Sequence, residues 1–182
     1  MIISAISLLN QDNTLPLPEN QLNMEKQLEF NLHNKEEFPP MHTTEHIVNR
    51  TMMNLFHCGR SVEAHIERKK SKLDYALKEE PTAVQIQQIE DAVNEVISRH
   101  LPVTMEYITQ EEAIGRFDME RLPDDASENV RVVHVGDYDE CLCIGKHVEN
   151  TSEIGTFKII SHSYENGILR LRFKLITNEQ AK

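Results

Sequence analysis

Residues 168–176 read "ILRLRFKLI", an alternation that puts Leu169, Leu171, Phe173 and Leu175 on one side and Arg170, Arg172 and Lys174 on the other. A helix, turning about 100° per residue, would scatter those four apolar side chains around its circumference, whereas a strand lines them along one face. Upstream, "FKIISHSY" supplies a second strand, and "ENG" places Asn166-Gly167 between the two, the turn chemistry of an antiparallel hairpin. A sheet with one apolar face must be covered, so the rest of the chain has to provide the cover.

Helical cover is written in two places. From about His42 to His57, Val48, Met52, Leu55 and Phe56 recur at i, i+4, i+7 and i+8, one buried stripe, with His42, His46 and Met53 on a neighbouring face. The Pro39-Pro40 pair before it predicts extended backbone leading into the helix start. In the second helix, Thr82 and Gln85 form a T-x-x-Q capping box, and Ile86, Ile89, Val93, Val96 and Ile97 continue a stripe to about His100.

Between the helices, residues 61–78 alternate: Val62, Ala64 and Ile66 oppose Glu63, His65 and Glu67, then a basic "RKKS" turn leads into "KLDYAL", which predicts a hairpin. Further on, "PVTMEYI" reads as a strand, "TQEEAIGRF" as a short capped helix and "NVRVVHVGD" as a buried strand ending in a turn. The expected fold class is α+β, a largely antiparallel sheet packed with helices, over residues 39–182. Residues 1–38, ending "NKEEFPP", lack a sustained period and read as an N-terminal extension or arm with a strand near "KQLEFNL"; Met24 is an alternative start.

Composition narrows the function. At 39% hydrophobic and 27% charged residues the chain is ordinary for a globular protein, and no apolar run is long enough to span a bilayer. The opening "MIISAISLL" lacks the basic flank and cleavage site of a secretory signal, so a cytoplasmic location is expected. Three cysteines, Cys58, Cys141 and Cys143, are too few for a disulfide scaffold and point to packing or metal binding. The formal net charge of -11 argues against broad polyanion binding but leaves room for a local basic face at residues 59–78, where six Lys or Arg stand against three acids.

The chemistry is concentrated in two short motifs. "HTTEH" sets His42 and His46 one helical turn apart on one face. About a hundred residues later, "CIGKH" offers Cys143 and His147, with Gly145 freeing the backbone to turn between them. One thiolate and three imidazoles make a borderline-soft donor set that suits Zn²⁺ better than Mg²⁺ or Ca²⁺.

Taken together, "HTTEH" and "VRVVHVGDYDECLCIGKHVENTSEIGTFKIIS" resemble the editing domain shared by alanyl- and threonyl-tRNA synthetases, above all the free-standing alanyl-tRNA editing proteins of the AlaX type. The resemblance runs from about Met41 to Ile176 and includes a T-x-E-I-G-x-x-K-I pattern at Thr151, Glu153, Ile154, Gly155, Lys158 and Ile159. It implies a zinc site of His42, His46, Cys143 and His147, and hydrolysis of the ester joining a wrong amino acid to tRNA, most typically serine or glycine on alanine tRNA. Such an enzyme answers a physical need, since a synthetase pocket cannot strongly reject a near-isostere that adds only a hydroxyl. Action in trans, as a separate enzyme, is the corresponding expectation. In it the zinc either activates a water or positions and polarises the ester carbonyl, and the tRNA end is held by Arg68, Lys69, Lys70 and Lys72.

Departures from the family pattern fall around the pocket. Glu45 stands where relatives carry small residues, "CIGKH" replaces a more glycine-rich form, and Cys141 occupies a place that is acidic in many relatives, with Asp139 and Glu140 just upstream. His65 is the candidate for the polar side chain that the first hairpin lends to the pocket. Two other readings compete. "HTTEH" also spells H-x-x-E-H, a zinc peptidase signature with Glu45 as general base and Glu111 or Glu112 as a further ligand. The fold could instead serve as a non-catalytic, zinc-stabilised module binding tRNA or a protein.

Overall fold

A computed structural model describes residues 38–119 and 129–176. The expected arm up to residue 37, with its strand near "KQLEFNL" and Met24, and the last six residues of the expected domain lie outside the described residues.

Helix α1 spans Pro39–Phe56. The two prolines do not precede it in extended backbone as expected. They form its first turn, with Phe38 as the extended N-cap at φ -109°, because a proline at the start of a helix gives up an N–H that would have had no partner there. Val48 and Met52 are fully buried as the stripe required, joined by Met41 and Ile47, but the helix runs out of cover near its end and Leu55 is 43% exposed. His57 closes it in the left-handed region at φ 51°, its N–H donating to the Met53 carbonyl.

Strands β1 (Glu63–His65) and β2 (Ser71–Ala76) form the first hairpin. Helix α2 (Ala83–Ser98) starts at the expected Thr82/Gln85 capping box and buries the expected five apolar residues. Then follow β3 (Val103–Thr109), the one-turn helix α3 (Gln110–Ala113) capped by Thr109 and Glu112, β4 (Asn129–Val135) and β5 (Asp139–Leu142). A 3-10 turn, Thr151–Glu153, leads to β6 (Thr156–Glu165) and β7 (Ile168–Ile176), joined through Asn166 (φ 52°) and Gly167 (φ 79°).

The α+β class holds, but the strands form two sheets rather than one: β1-β2-β7-β6 and β3-β4-β5, every pairing antiparallel. Strand β5 escaped the sequence reading because "DECL" carries no alternation. Leu169, Leu171 and Phe173 are fully buried in β7, facing the same core as Leu73 and Tyr75 of β2. Strand β1 is exposed along its length, so its alternation does not mark a buried face. No helix among the described residues is long and apolar enough to cross a membrane.

Strand β6 is an edge, and α2 blunts it. Asn94 imitates a neighbouring strand: its Nδ2 donates to the Phe157 carbonyl and its Oδ1 accepts from the Phe157 N–H, both at 2.9 Å. Glu90 accepts from the Ile159 N–H at 2.8 Å and from Lys158 Nζ at 2.6 Å. The T-x-E-I-G-x-x-K-I pattern thereby acquires structural meaning. Thr151 Oγ1 donates to the Ile97 carbonyl and accepts from the Leu101 N–H. Glu153 caps the N–H groups of Glu149 and Asn150, Ile154 is core, and Gly155 takes φ 85°. This segment staples α2 to the sheet. Replacing Asn94 by Leu should leave the Phe157 groups without partners and lower stability by about 2 kcal/mol, measured as a fall in the urea midpoint.

Candidate metal centre

Helix α1 and the loop leaving β5 approach each other because α1 packs along β4 and β5. One helical turn separates His42 from His46 on the face that meets this loop, and Cys143 and His147 complete the group. One donor atom from each of the four lies within 4.8 Å of all the others. Cys143 Sγ is 3.4 Å from His42 Nε2 and 3.4 Å from His147 Nε2. A tetrahedral zinc with ordinary bond lengths would set a sulfur and a nitrogen ligand about 3.6 Å apart. His42 and His147 have ring centroids 4.3 Å apart, and His46 and His147 4.6 Å.

Several side chains fix this arrangement. Thr43 Oγ1 pairs with His147 Nδ1 at 3.1 Å and accepts the Val148 N–H, which turns Nε2 of His147 inward. Arg131 of β4 reaches under the loop, where Nε donates to the Cys143 carbonyl at 2.6 Å and Nη2 to the Gly145 carbonyl. Gly145 serves a different purpose from the one its sequence suggested. It has no positive φ; instead a Cβ there would lie 1.9 Å from Cε1 and 2.4 Å from Nδ1 of His42, so only glycine lets the loop close over that ring. Sequence reading passed over Thr43 and Arg131. The single guanidinium inside the apolar run "VRVVHV" was the available signal for Arg131.

Burial governs the ionisation of the cluster. Burial drives His46 well below its ordinary pKa, with the neighbouring His147 and His42 adding to the effect. Burial, then His42 and Arg131, lowers His147 to about 3. Two imidazolium charges at the His46–His147 separation would repel by roughly 3–4 kcal/mol at an effective dielectric near 20, so the rings stay neutral, the form that ligates. Burial pushes the Cys143 thiol up, against the pull of the Gly145 N–H and Arg131. Cys141 goes up to about 12, burial again leading. The donor set, the neutral His46 and His147 rings and the clearance at Gly145 all suit a zinc ion.

The other expected residues are placed elsewhere. His65 lies exposed on β1, 2.9 Å from Glu67 Oε1. Arg68, Lys69 and Lys70 are exposed in the β1–β2 turn, Arg68 stacking over the Phe38 ring at 4.6 Å, and Lys72 is paired with Glu63 at 2.8 Å. Glu45 is half-buried and acts on Cys141 and Cys143 through its charge. Glu111 is exposed and Glu112 is spent on the α3 cap, so neither joins the histidines.

The family described as the threonyl and alanyl tRNA synthetase second additional domain matches residues 130–171, from β4 into β7 and including Cys143 and His147. Over residues 130–171 the chain is similar to this domain. Among similar proteins, alanine–tRNA ligase of Fervidobacterium nodosum is 35% identical over 137 residues, 75% of this chain. The same ligase from Shouchella clausii is 34% identical over 143 residues, 77% of this chain, and that from Bdellovibrio bacteriovorus 34% over 116 residues, 64% of this chain. The matched stretch is 16%, 16% and 13% of those relatives respectively, so the chain spans one sixth or less of their length. The second additional domain match begins after α1, and it is the fold that returns His42 and His46 to its Cys143 and His147.

Three outcomes follow from this geometry. With His46 and His147 neutral and the Cys143 thiol protonated near pH 7, zinc uptake should release the thiol proton and its apparent affinity should rise with pH, measurable by titration in weak buffer. For the metal-free protein the sign is fixed by His147. Its folded pKa lies below the unfolded value, so stability is present above about pH 6.5 and declines as pH falls toward 3, because the unfolded chain binds the proton that the folded one refuses. Gly145→Ala should displace the His42 ring and weaken zinc binding at least about tenfold while the fold survives, read by competition with a chelating dye.

Proposed function

We propose that this chain is a zinc-dependent hydrolase that cuts the ester between a wrongly attached amino acid and tRNA, with serine or glycine on alanine tRNA as its first substrates. The observation that carries the reading is the convergence of His42 and His46 of α1 with Cys143 and His147, the latter two within the stretch that matches the second additional domain. Bound by these four, zinc supplies Lewis acidity and orientation at the ester carbonyl or its attacking water.

The chain's own residues do the remaining work. Thr43 and Arg131 hold the His147 ring and the Cys143–Gly145 backbone in place, so the donors need no rearrangement. The exposed Arg68, Lys69 and Lys70 of the β1–β2 turn, with Lys72, are proposed to meet tRNA phosphates, countering the net charge of -11 locally. His65 and Glu45 are proposed to touch the pocket only at its margin. A reducing setting, the cytoplasm, keeps the ligand thiol available.

Participation of both motifs favours this reading over the H-x-x-E-H peptidase, which has no use for Cys143 and His147. The test is deacylation by this polypeptide alone of tRNAs charged with serine, glycine and threonine, with and without chelator. Hydrolysis of at least one, abolished by chelator and reduced by Cys143→Ala more than the 10–100-fold typical of losing a mere supporting group, is expected. Zinc uptake without hydrolysis of any of them would instead assign a binding module.

A further inference from the structure

Asp139, at the start of β5, is a buried carboxylate with half its capacity unused. Its side chain is 0% exposed, and Oδ1 receives Arg50 Nε at 2.8 Å and Arg60 Nη2 at 2.6 Å. Among the described residues Oδ2 has no hydrogen-bond partner. The His46 ring faces it, with Nδ1 at 3.7 Å, about half an ångström beyond an ordinary N–H···O bond. Leaving a buried acceptor unsatisfied is costly, and a metal-ligating histidine commonly gives its second N–H to a carboxylate. The two needs meet at one atom pair.

Cys141 is the competing partner. Its Sγ lies 3.4 Å from His46 Nδ1 and 3.7 Å from Nε2, and with Asp139 and His46 it forms a second group of three possible donors. A second cation there would sit beside a carboxylate that two guanidinium groups already neutralise, an arrangement Coulomb repulsion opposes. Cys141 therefore packs against the ring without ligating.

We propose that Asp139 is the positioning residue of the metal centre: Oδ2 accepts the Nδ1 proton of His46 and thereby commits His46 Nε2 to the ion, while Arg50 and Arg60 hold the carboxylate in place. The inference rests on the zinc reading above. Asp139 touches no substrate and acts through His46.

The experiment compares wild type with Asp139→Asn and Cys141→Ala. Zinc affinity is measured by competition with a chelating dye, and the protonation of each His46 ring nitrogen by long-range proton–nitrogen NMR of the zinc-loaded wild type. Expected are one zinc per chain, a proton on Nδ1 with the metal on Nε2, and affinity weakened about 10–100-fold in Asp139→Asn but within about twofold of wild type in Cys141→Ala. The proposal is overturned by metal on Nδ1, by unchanged affinity in a folded Asp139→Asn, or by Cys141→Ala losing zinc. If Asp139→Asn does not fold, the wild-type ring assignment decides alone. A wild type that takes up no zinc overturns this proposal together with the metal reading, whereas zinc uptake with unchanged Asp139→Asn overturns this proposal only.

Discussion

The carboxylate of Asp139 is the joint between α1 and the second sheet. Arg50 comes from α1, Arg60 from the segment after that helix, and Asp139 from β5 in the second sheet, so one buried group with two guanidinium partners locks helix, connection and strand together. Paired charges that are buried are strongly destabilised when one partner is lost, which makes the register of α1 against β5 exacting. His46 and Cys143 inherit their positions from that register. Without it, two motifs a hundred residues apart have no reason to share a site.

Around this joint the fold divides its labour. The four-stranded sheet with α1 and α2 carries the apolar core, whose largest buried rings are Tyr75, Phe157 and Phe173, and α2 closes the β6 edge through Glu90 and Asn94. The three-stranded sheet contributes little of that core and instead presents Arg131, Asp139 and the Cys143 loop. The buried imidazole of His46 and the half-buried one of His147 are poor structural material when no cation is present, since they remain neutral only by excluding protons. A bound zinc would turn that liability into stability, because its binding energy adds to the folded state.

Much of this was legible in the sequence because it was written as a period or as a cap. The β6–β7 hairpin, the α2 stripe and the capping boxes at Thr82 and Thr109 follow from local rules and stand where those rules put them. What was not legible depends on tertiary contact. "DECL" has no alternation, so β5 forms only because β4 offers it a partner. Pro39 and Pro40 support either an extended lead-in or a first helical turn, and packing of Met41 into the core selects the second. The need for Gly145 lies in the His42 ring above it, which no local pattern reveals. The four candidate ligands were readable as residue types at a spacing; Thr43 and the pairing of Asp139 were not, because they act across 79 to 104 residues, nor was Arg131, which acts from β4 on the loop after β5.

The central claim is that one zinc ion is held by one thiolate and three imidazoles drawn from α1 and the Cys143 loop. X-ray absorption at the zinc edge of the loaded full chain tests it directly. The expected spectrum is a four-coordinate shell with one sulfur at about 2.3 Å and three nitrogens at about 2.0–2.1 Å. A shell with two sulfurs, or one dominated by oxygen at six-coordination, would contradict it.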